Sequence, residues 1–239
     1  MIILNSSEIG KPIEGKFLYR KNRFVGVCQV NGEVVECHIS DTGRLKEILT
    51  EGREILLLKS SQNNKLLYKL LSAKMEEGFV LVNTSIHSKI GKKIIELGLL
   101  GFKPKKIKSE VVYKDSRIDF LVDERLYIEL KGCNLLVDKQ CLFPDAPTTR
   151  GLKHLKHLIE IKKEGYESAI MILSLRECKT FLPNIETDPD FSKMFETALK
   201  EGVKFYGFKV KFDKDFNIVY NGKLEVDKKL WSWLKKSSS

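Results

Sequence analysis

A chain of 239 residues that is 42% hydrophobic and 31% charged has enough apolar material for one large domain or two modest ones. Its 42 Lys and Arg exceed its 32 Asp and Glu, for a net charge of +10. That surplus suits a polyanionic partner such as nucleic acid or, as readily, a solvated lysine-rich surface. There is no long uncharged apolar run, and the start "MIILNSSEIG" lacks the basic segment and apolar stretch of a signal peptide. A cytoplasmic protein with no membrane partner is therefore expected.

The first third reads as β-structure. "GKFLYR", "RFVGVCQV" and "EVVECHIS" are rich in strand-forming residues, and Asn31-Gly32 between the last two is a strong hairpin turn. A two-residue turn there sets Cys28 opposite Val35, so Cys28 and Cys37 are not expected to face each other. "DTGRLKEILTEG" carries helix chemistry, with Asp41 or Thr42 as cap, Leu45, Ile48 and Leu49 on one face, and Gly52 as stop. Strands at "EILLLKS" and "KLLYKLLSA" follow, joined by the polar turn "SQNN". Three strands, a short helix and two strands is the order of an OB-type barrel, whose face and loops often bind nucleic acid, although other small barrels share that order.

From "EEGFVLVNTS" the pattern changes. Ile86, Ile90, Ile94 and Leu97 recur at helical spacing in "SIHSKIGKKIIELGLL". Strands are then expected at "EVVYK", "SRIDFLV" and "RLYIELKG", with a loop across "LLVDKQCLFPDAP". A helix from about Thr149 to Glu164, the strand "SAIMILSL", a helix across "DPDFSKMFETALKEG" and the strand "VKFYGFKVKF" complete the order. A mixed sheet with helices on its faces is the natural packing, and the chain is expected to be an α+β protein of two domains, 1–82 and 83–239. Cys28, Cys37, Cys133, Cys141 and Cys178 are odd in number and form no C-x-x-C pair. Reduced, packed thiols are expected, not a zinc ribbon or a disulfide framework.

The stretch "SRIDFLVDERLYIELKG" poses an electrostatic problem. With Asp123, Glu124 and Arg125 as the connection, Val122 faces Leu126, and counting back sets Asp119 opposite Glu129 with Cβ atoms about 4.5–5.5 Å apart. Lys131 projects from the same face two residues on. Opposed like charges destabilise a sheet, more so beside Ile118, Phe120, Leu121 and Ile128, unless a proton or cation lies between them. A divalent cation resolves the conflict, and with a lysine nearby the set has what phosphodiester hydrolysis needs. The alternative is a surface hairpin whose charges face water; the apolar neighbours favour the metal.

"SRIDFLV" and "IELKG" resemble the acidic core of the PD-(D/E)xK nuclease superfamily. "HISDTGRLKEIL", "IELKGCNL", "FPDAPTTRGLKHLKHLIEI", "AIMILSL" and "FLPNIETDPDF" resemble, in order over nearly the whole chain, the sugar fermentation stimulation protein A family. The resemblance implies an N-terminal OB-like β-barrel, a restriction-endonuclease-like mixed α/β domain and association with DNA. It places Asp119 and Glu129 as ligands of Mg²⁺ or Mn²⁺, the Leu130 carbonyl as a further ligand, and Lys131 as the catalytic lysine. The upstream acid common in such nucleases would be Glu96 or Glu110, and Arg44 would be a DNA contact.

In "TTRGLKHLKHLIEIKKEG", Leu152, Leu155, Leu158 and Ile159 can face a core, leaving Arg150, Lys153, His154 and His157 near or toward the other side. Thr148 or Thr149 caps this helix, so its first N–H groups and Arg150 form a phosphate-binding end or an ordinary capped start. Arg150, Lys153 and His154 join Arg44 as expected DNA contacts. Arg117 is expected on the sheet face opposite Asp119, in an ion pair. Trp231 and Trp233 either stack on single-stranded bases or, more simply, dock on the core. Two functions fit: a Mg²⁺- or Mn²⁺-dependent deoxyribonuclease, or a DNA-binding or regulatory protein that does not cleave.

Overall fold

The computed structural model describes residues 1–60 and 65–230; the expected turn "SQNN", Trp231 and Trp233 lie outside them. In chain order the elements are β1 (Ile2–Leu4), α1 (Ser6–Ile9), β2 (Ile13–Asn22), β3 (Val25–Val30), β4 (Glu33–His38), β5 (Glu54–Lys59), β6 (Tyr68–Met75) and β7 (Gly78–Leu81). Then come a 3₁₀ turn (Thr84–Ile86), α2 (His87–Glu96), β8 (Ile107–Tyr113), β9 (Ser116–Val122), β10 (Leu126–Cys133), β11 (Leu135–Val137) and β12 (Gln140–Phe143). The chain continues with α3 (Thr149–Lys163), β13 (Glu167–Ser174), β14 (Thr180–Pro183), α4 (Pro189–Lys200), β15 (Lys204–Phe212), β16 (Ile218–Lys223) and β17 (Glu225–Val226). Two compact units result, Met1–Lys89 with Val210–Asn221, and Ile90–Lys209 with Gly222–Ser239. The compact units divide at 89/90, a few residues past the 82/83 read from the sequence, and residues 210–221 group with the first unit because β16 pairs antiparallel with β1.

The first unit is built on a closed five-stranded barrel in the order β4-β3-β2-β5-β6, with β6 returning to β4 in parallel through Cys37/Tyr68 and His38/Lys69. Asn31 and Gly32 both take positive φ, 51° and 85°, as a two-residue hairpin turn requires. Cys28 does lie opposite Val35, yet its sulfur is 3.2 Å from that of Cys37, against expectation. Cys37 pairs with Gly26, two residues along the same face from Cys28, and diagonal neighbours on one face are within reach.

The helix expected over 41–52 does not form. The Asp41 carboxylate accepts the Gly43 N–H at 2.8 Å, closing a local turn instead of capping a helix, and Leu45 adopts φ 49°. The Arg20 guanidinium donates to the carbonyls of Asp41 and Gly43, holding the segment open. Burial of Leu45 and Ile48 offsets the missing helical hydrogen bonds.

In the second unit β15, β13 and β10 run parallel, and β9 and β8 continue the sheet antiparallel. Side-chain alternation divides its two faces. Phe120 and Leu130 lie against α2, where Gly91 admits them: a Cβ there would stand 3.0 Å from Leu130 and 3.1 Å from Phe120. Ile170 and Ile172 pack on the other face with Leu155 and Leu158 of α3 and Phe191 and Phe195 of α4. Thr148, one of the two threonines expected to cap α3, accepts the Gly151 N–H, and Asp188 accepts the Phe191 N–H to cap α4.

The stretch expected as a loop after β10 folds into the β11–β12 hairpin, because Asp138 and Lys139 both take positive φ and make a tight turn. It belongs to a small sheet, β11-β12-β14-β17. Cys141 on β12 and Cys178, 37 residues on, form a disulfide with Cα atoms 5.6 Å apart, where free thiols were expected. Parallel pairing of β12 with β14 brings these distant residues together, a proximity their spacing could not show.

Gly207 on β15 receives the Leu224 N–H on its carbonyl, and a Cβ at Gly207 would lie 2.1 Å from the Leu224 oxygen. Backbone cannot yield as a flexible side chain can. Gly207→Ala is therefore expected to lower unfolding free energy by about 1–3 kcal/mol or more, measured by urea titration; an unchanged midpoint would refute this close approach.

Candidate metal and nucleic-acid site

Asp119, Glu129 and Lys131 share the sheet face that carries α3. The β9–β10 ladder pairs Val122 with Leu126, Tyr127 with Leu121 and Ile128 with Phe120, the expected register, and stops there. Where Asp119 and Glu129 would pair next, the Asp119 carboxylate instead accepts the Leu130 N–H at 2.6 Å. A strand residue directs its N–H and C=O to the same edge, so the Leu130 carbonyl also turns toward β9. On the other side, Ser109 pairs with Phe120 and Val111 with Ile118, so Glu110 stands level with Asp119 but unpaired, at φ 55°. Three carboxylates, Glu110, Asp119 and Glu129, thus form one row across three strands, and the sheet is interrupted at its middle member.

Glu129 is 2% exposed. Two donors converge on its Oε1: the Lys131 ammonium and Nδ1 of His154, with Lys131 Nζ and His154 Nδ1 3.3 Å apart. Its Oε2 is buried and accepts no hydrogen bond. His154, expected near the surface, is only 3% exposed, because α3 turns this residue with Leu155 and Leu158 toward the sheet. His157 is buried too, with Nε2 3.5 Å from Asp115 and its ring against Tyr113.

Beside the row lies a groove of about 700 Å³ lined by Glu110, Lys114, Arg117, Arg150, Lys153 and His154 among others. Lys114 pairs with Glu160 at 2.9 Å and Lys153 with Asp115 at 2.6 Å. Arg117 and Arg150 make no ion pair among the described residues, leaving two guanidinium groups for an anion. Arg117 was expected on the opposite face in an ion pair; two residues from Asp119 on a strand, it must share that residue's face. Arg44 is exposed and belongs to the other compact unit.

Glu96 and Glu110 separate clearly. Glu96 ends α2 on the far side of the sheet and pairs with Lys93 at 3.4 Å, whereas Glu110 lines the groove. Among the described residues no three His, Cys, Asp or Glu side chains already stand at metal-binding distances. A hard divalent cation needs fewer: Mg²⁺ takes one or two carboxylates with carbonyl, water and phosphate oxygens. The unpartnered Glu129 Oε2, the half-buried Asp119 carboxylate and the Leu130 carbonyl fit that set.

Residues 18–82 match the family model described as the SfsA N-terminal OB domain, and residues 81–216 match the sugar fermentation stimulation protein RE domain. The chain belongs to the SfsA family. It is 42% identical over 203 residues to the sugar fermentation stimulation protein homolog of Thermosipho melanesiensis, covering 84% of this chain and 89% of that protein. It is 43% identical over 186 residues to the homolog of Sulfolobus acidocaldarius, 77% of each chain. The solved structure of Pyrococcus furiosus SfsA in complex with Ca²⁺ superposes with a TM-score of 0.87 at 27% identity, covering 95% of this chain and 99% of that one. Among the described residues of this SfsA chain no helix is long and apolar enough to cross a membrane.

The two acids of this SfsA site are held in opposite senses. Burial, then the Glu129 charge and more weakly Glu110, push the Asp119 carboxyl up to about 7 against the pull of Lys131 and the Leu130 N–H. For Glu129 burial also acts upward, but Lys131 and His154 outweigh it and hold the group below the usual glutamate range. Between the ordinary value of 3.8 and about 7 the folded protein therefore binds more protons at Asp119 than the unfolded chain does. Stability contributed by Asp119 then falls as pH rises through that window. Without metal, Asp119→Asn should unfold at a higher temperature than wild type at pH 8 and show less difference at pH 4. Thermal unfolding in EDTA from pH 4 to 8 checks this, and an unchanged pH slope in the variant would overturn it.

Proposed function

We propose that this SfsA chain is a divalent-metal-dependent nuclease that hydrolyses the DNA backbone, with Asp119, Glu129 and the Leu130 carbonyl holding Mg²⁺ or Mn²⁺. The buried, unpartnered Oε2 of Glu129 beside an acid whose ionisation is resisted carries the reading, since a cation relieves both at once. The Ca²⁺ complex of the Pyrococcus relative supports the choice of a hard cation. When bound, the cation supplies a water of lowered pKa and a counter-charge for the phosphate. Lys131 rests on Glu129 without a cation; with one held there, its ammonium would be free to face the charge developing on the phosphate. Arg117 and Arg150 would hold neighbouring phosphates in the groove, which Thr149 at the start of α3 also lines.

A non-cleaving DNA-binding protein is the second reading, favoured by the same two guanidinium groups, which need no metal to hold phosphate. Labelled single- and double-stranded DNA incubated with Mg²⁺, Mn²⁺ or EDTA separates the two. Metal-dependent cleavage, lost in Glu129→Gln and Asp119→Asn while binding is retained or tightened, is the expected result. Binding without cleavage under either metal would sink the nuclease reading for those substrates. Arg150→Ala should weaken binding irrespective of sequence and reduce the magnitude of the salt slope by about one, read from titrations between low and physiological salt.

A further inference from the structure

Glu129 has two oxygens in unlike surroundings, and the difference comes from α3. Its ionised carboxylate can only accept hydrogen bonds, so the His154 nitrogen touching Oε1 must bear a proton: the ring is the Nδ1–H tautomer or the imidazolium, and Nδ1–H donates to Oε1. Lys131 donates to the same oxygen. The 3.3 Å between the two nitrogens is the approach of two donors sharing one acceptor. Oε2 is left with nothing.

The two donors differ in what they can do next. Lys131 is borne on a flexible stem and lies partly open to solvent, so it can leave when a cation arrives. His154 is fixed in the middle of a capped fifteen-residue helix, between buried Gly151 and Leu158 and next to buried Leu155. It cannot follow Lys131 out. With a cation bound it would therefore remain the partner of Oε1 and would keep the carboxylate from rotating that occupied oxygen away.

We propose that His154 is a positioning residue for the cation, clamping Oε1 of Glu129 from α3 so that Oε2 alone is presented to the metal. The proposal rests on the metal reading above and adds a residue that touches neither metal nor phosphate. It also reassigns His154, expected from the sequence to contact DNA, to work inside the protein.

Mn²⁺ affinity of the intact chain, measured by isothermal titration without DNA, tests it independently of cleavage. Wild type, Glu129→Gln, His154→Leu and His154→Asn would be compared, with thermal unfolding in EDTA to confirm that each is folded. An Asn amide nitrogen can take the place of Nδ1, whereas Leu fills the space without a donor. Loss of the carboxylate partner should weaken Mn²⁺ binding in His154→Leu by about 10–100-fold, with His154→Asn recovering most of it. If His154→Leu does not fold, His154→Asn is compared with His154→Ser, whose shorter side chain lacks an equivalent reach to Oε1 and which should bind weakly. Wild-type affinity in a folded His154→Leu or His154→Ser would overturn the clamp while leaving the metal site intact, provided Glu129→Gln still loses Mn²⁺. Absence of Mn²⁺ binding in wild type, or no loss in Glu129→Gln, would overturn the metal reading and the clamp together.

Discussion

An ionised carboxylate sealed under a helix is the constraint around which the second unit is organised. Glu129 cannot lose its water without receiving charge and hydrogen bonds in return, and removing one partner of such a buried group typically costs about 3–5 kcal/mol. Lys131 comes from its own strand. His154 comes from α3, and so the helix, its cap and its packing against the sheet all bear on how one glutamate is held. Only one carboxylate oxygen is satisfied in this way, and the buried Oε2 is left without a hydrogen bond.

The second constraint is register. Antiparallel pairing of β8, β9 and β10 brings Glu110, Asp119 and Glu129 level with one another, and the ladder gives way at Asp119 on both sides. The carboxylate of Asp119 takes over a backbone N–H that the missing strand pair would have used, so Leu130 keeps a partner. Glu110 accepts a left-handed backbone there, a conformation that costs a side-chain-bearing residue about 1 kcal/mol or more. Strain, a broken ladder and crowded negative charge coincide at one level of the sheet, and the proposed divalent cation would relieve the last of these.

Much of this was legible in the linear chain. Asn31-Gly32, a threonine cap at the start of α3, and the turn joining β9 to β10 are local chemistry, and each appears where its residues put it. The opposition of Asp119 and Glu129 needed only a turn length and a period of two. Arg117 obeyed the same period and was available to the same count. The segment from Asp41 to Gly52 misled because its helical signals were sound but weaker than Arg20 drawing on its carbonyls from β2.

Local pattern therefore determined the Asn31-Gly32 hairpin and the β9–β10 register that sets Asp119 level with Glu129, since turns and strand alternation act over a few residues. The tertiary structure decided what those residues meet. Cys141 finds Cys178, 37 residues on, through the parallel pairing of β12 with β14, and Glu96 is set aside because α2 lies on the far face. His154 looks like any surface histidine of an amphipathic helix until α3 settles on β10. Helix periodicity leaves flanking positions undecided between core and solvent; the rotation of the packed helix chooses, and here it puts an imidazole on Glu129.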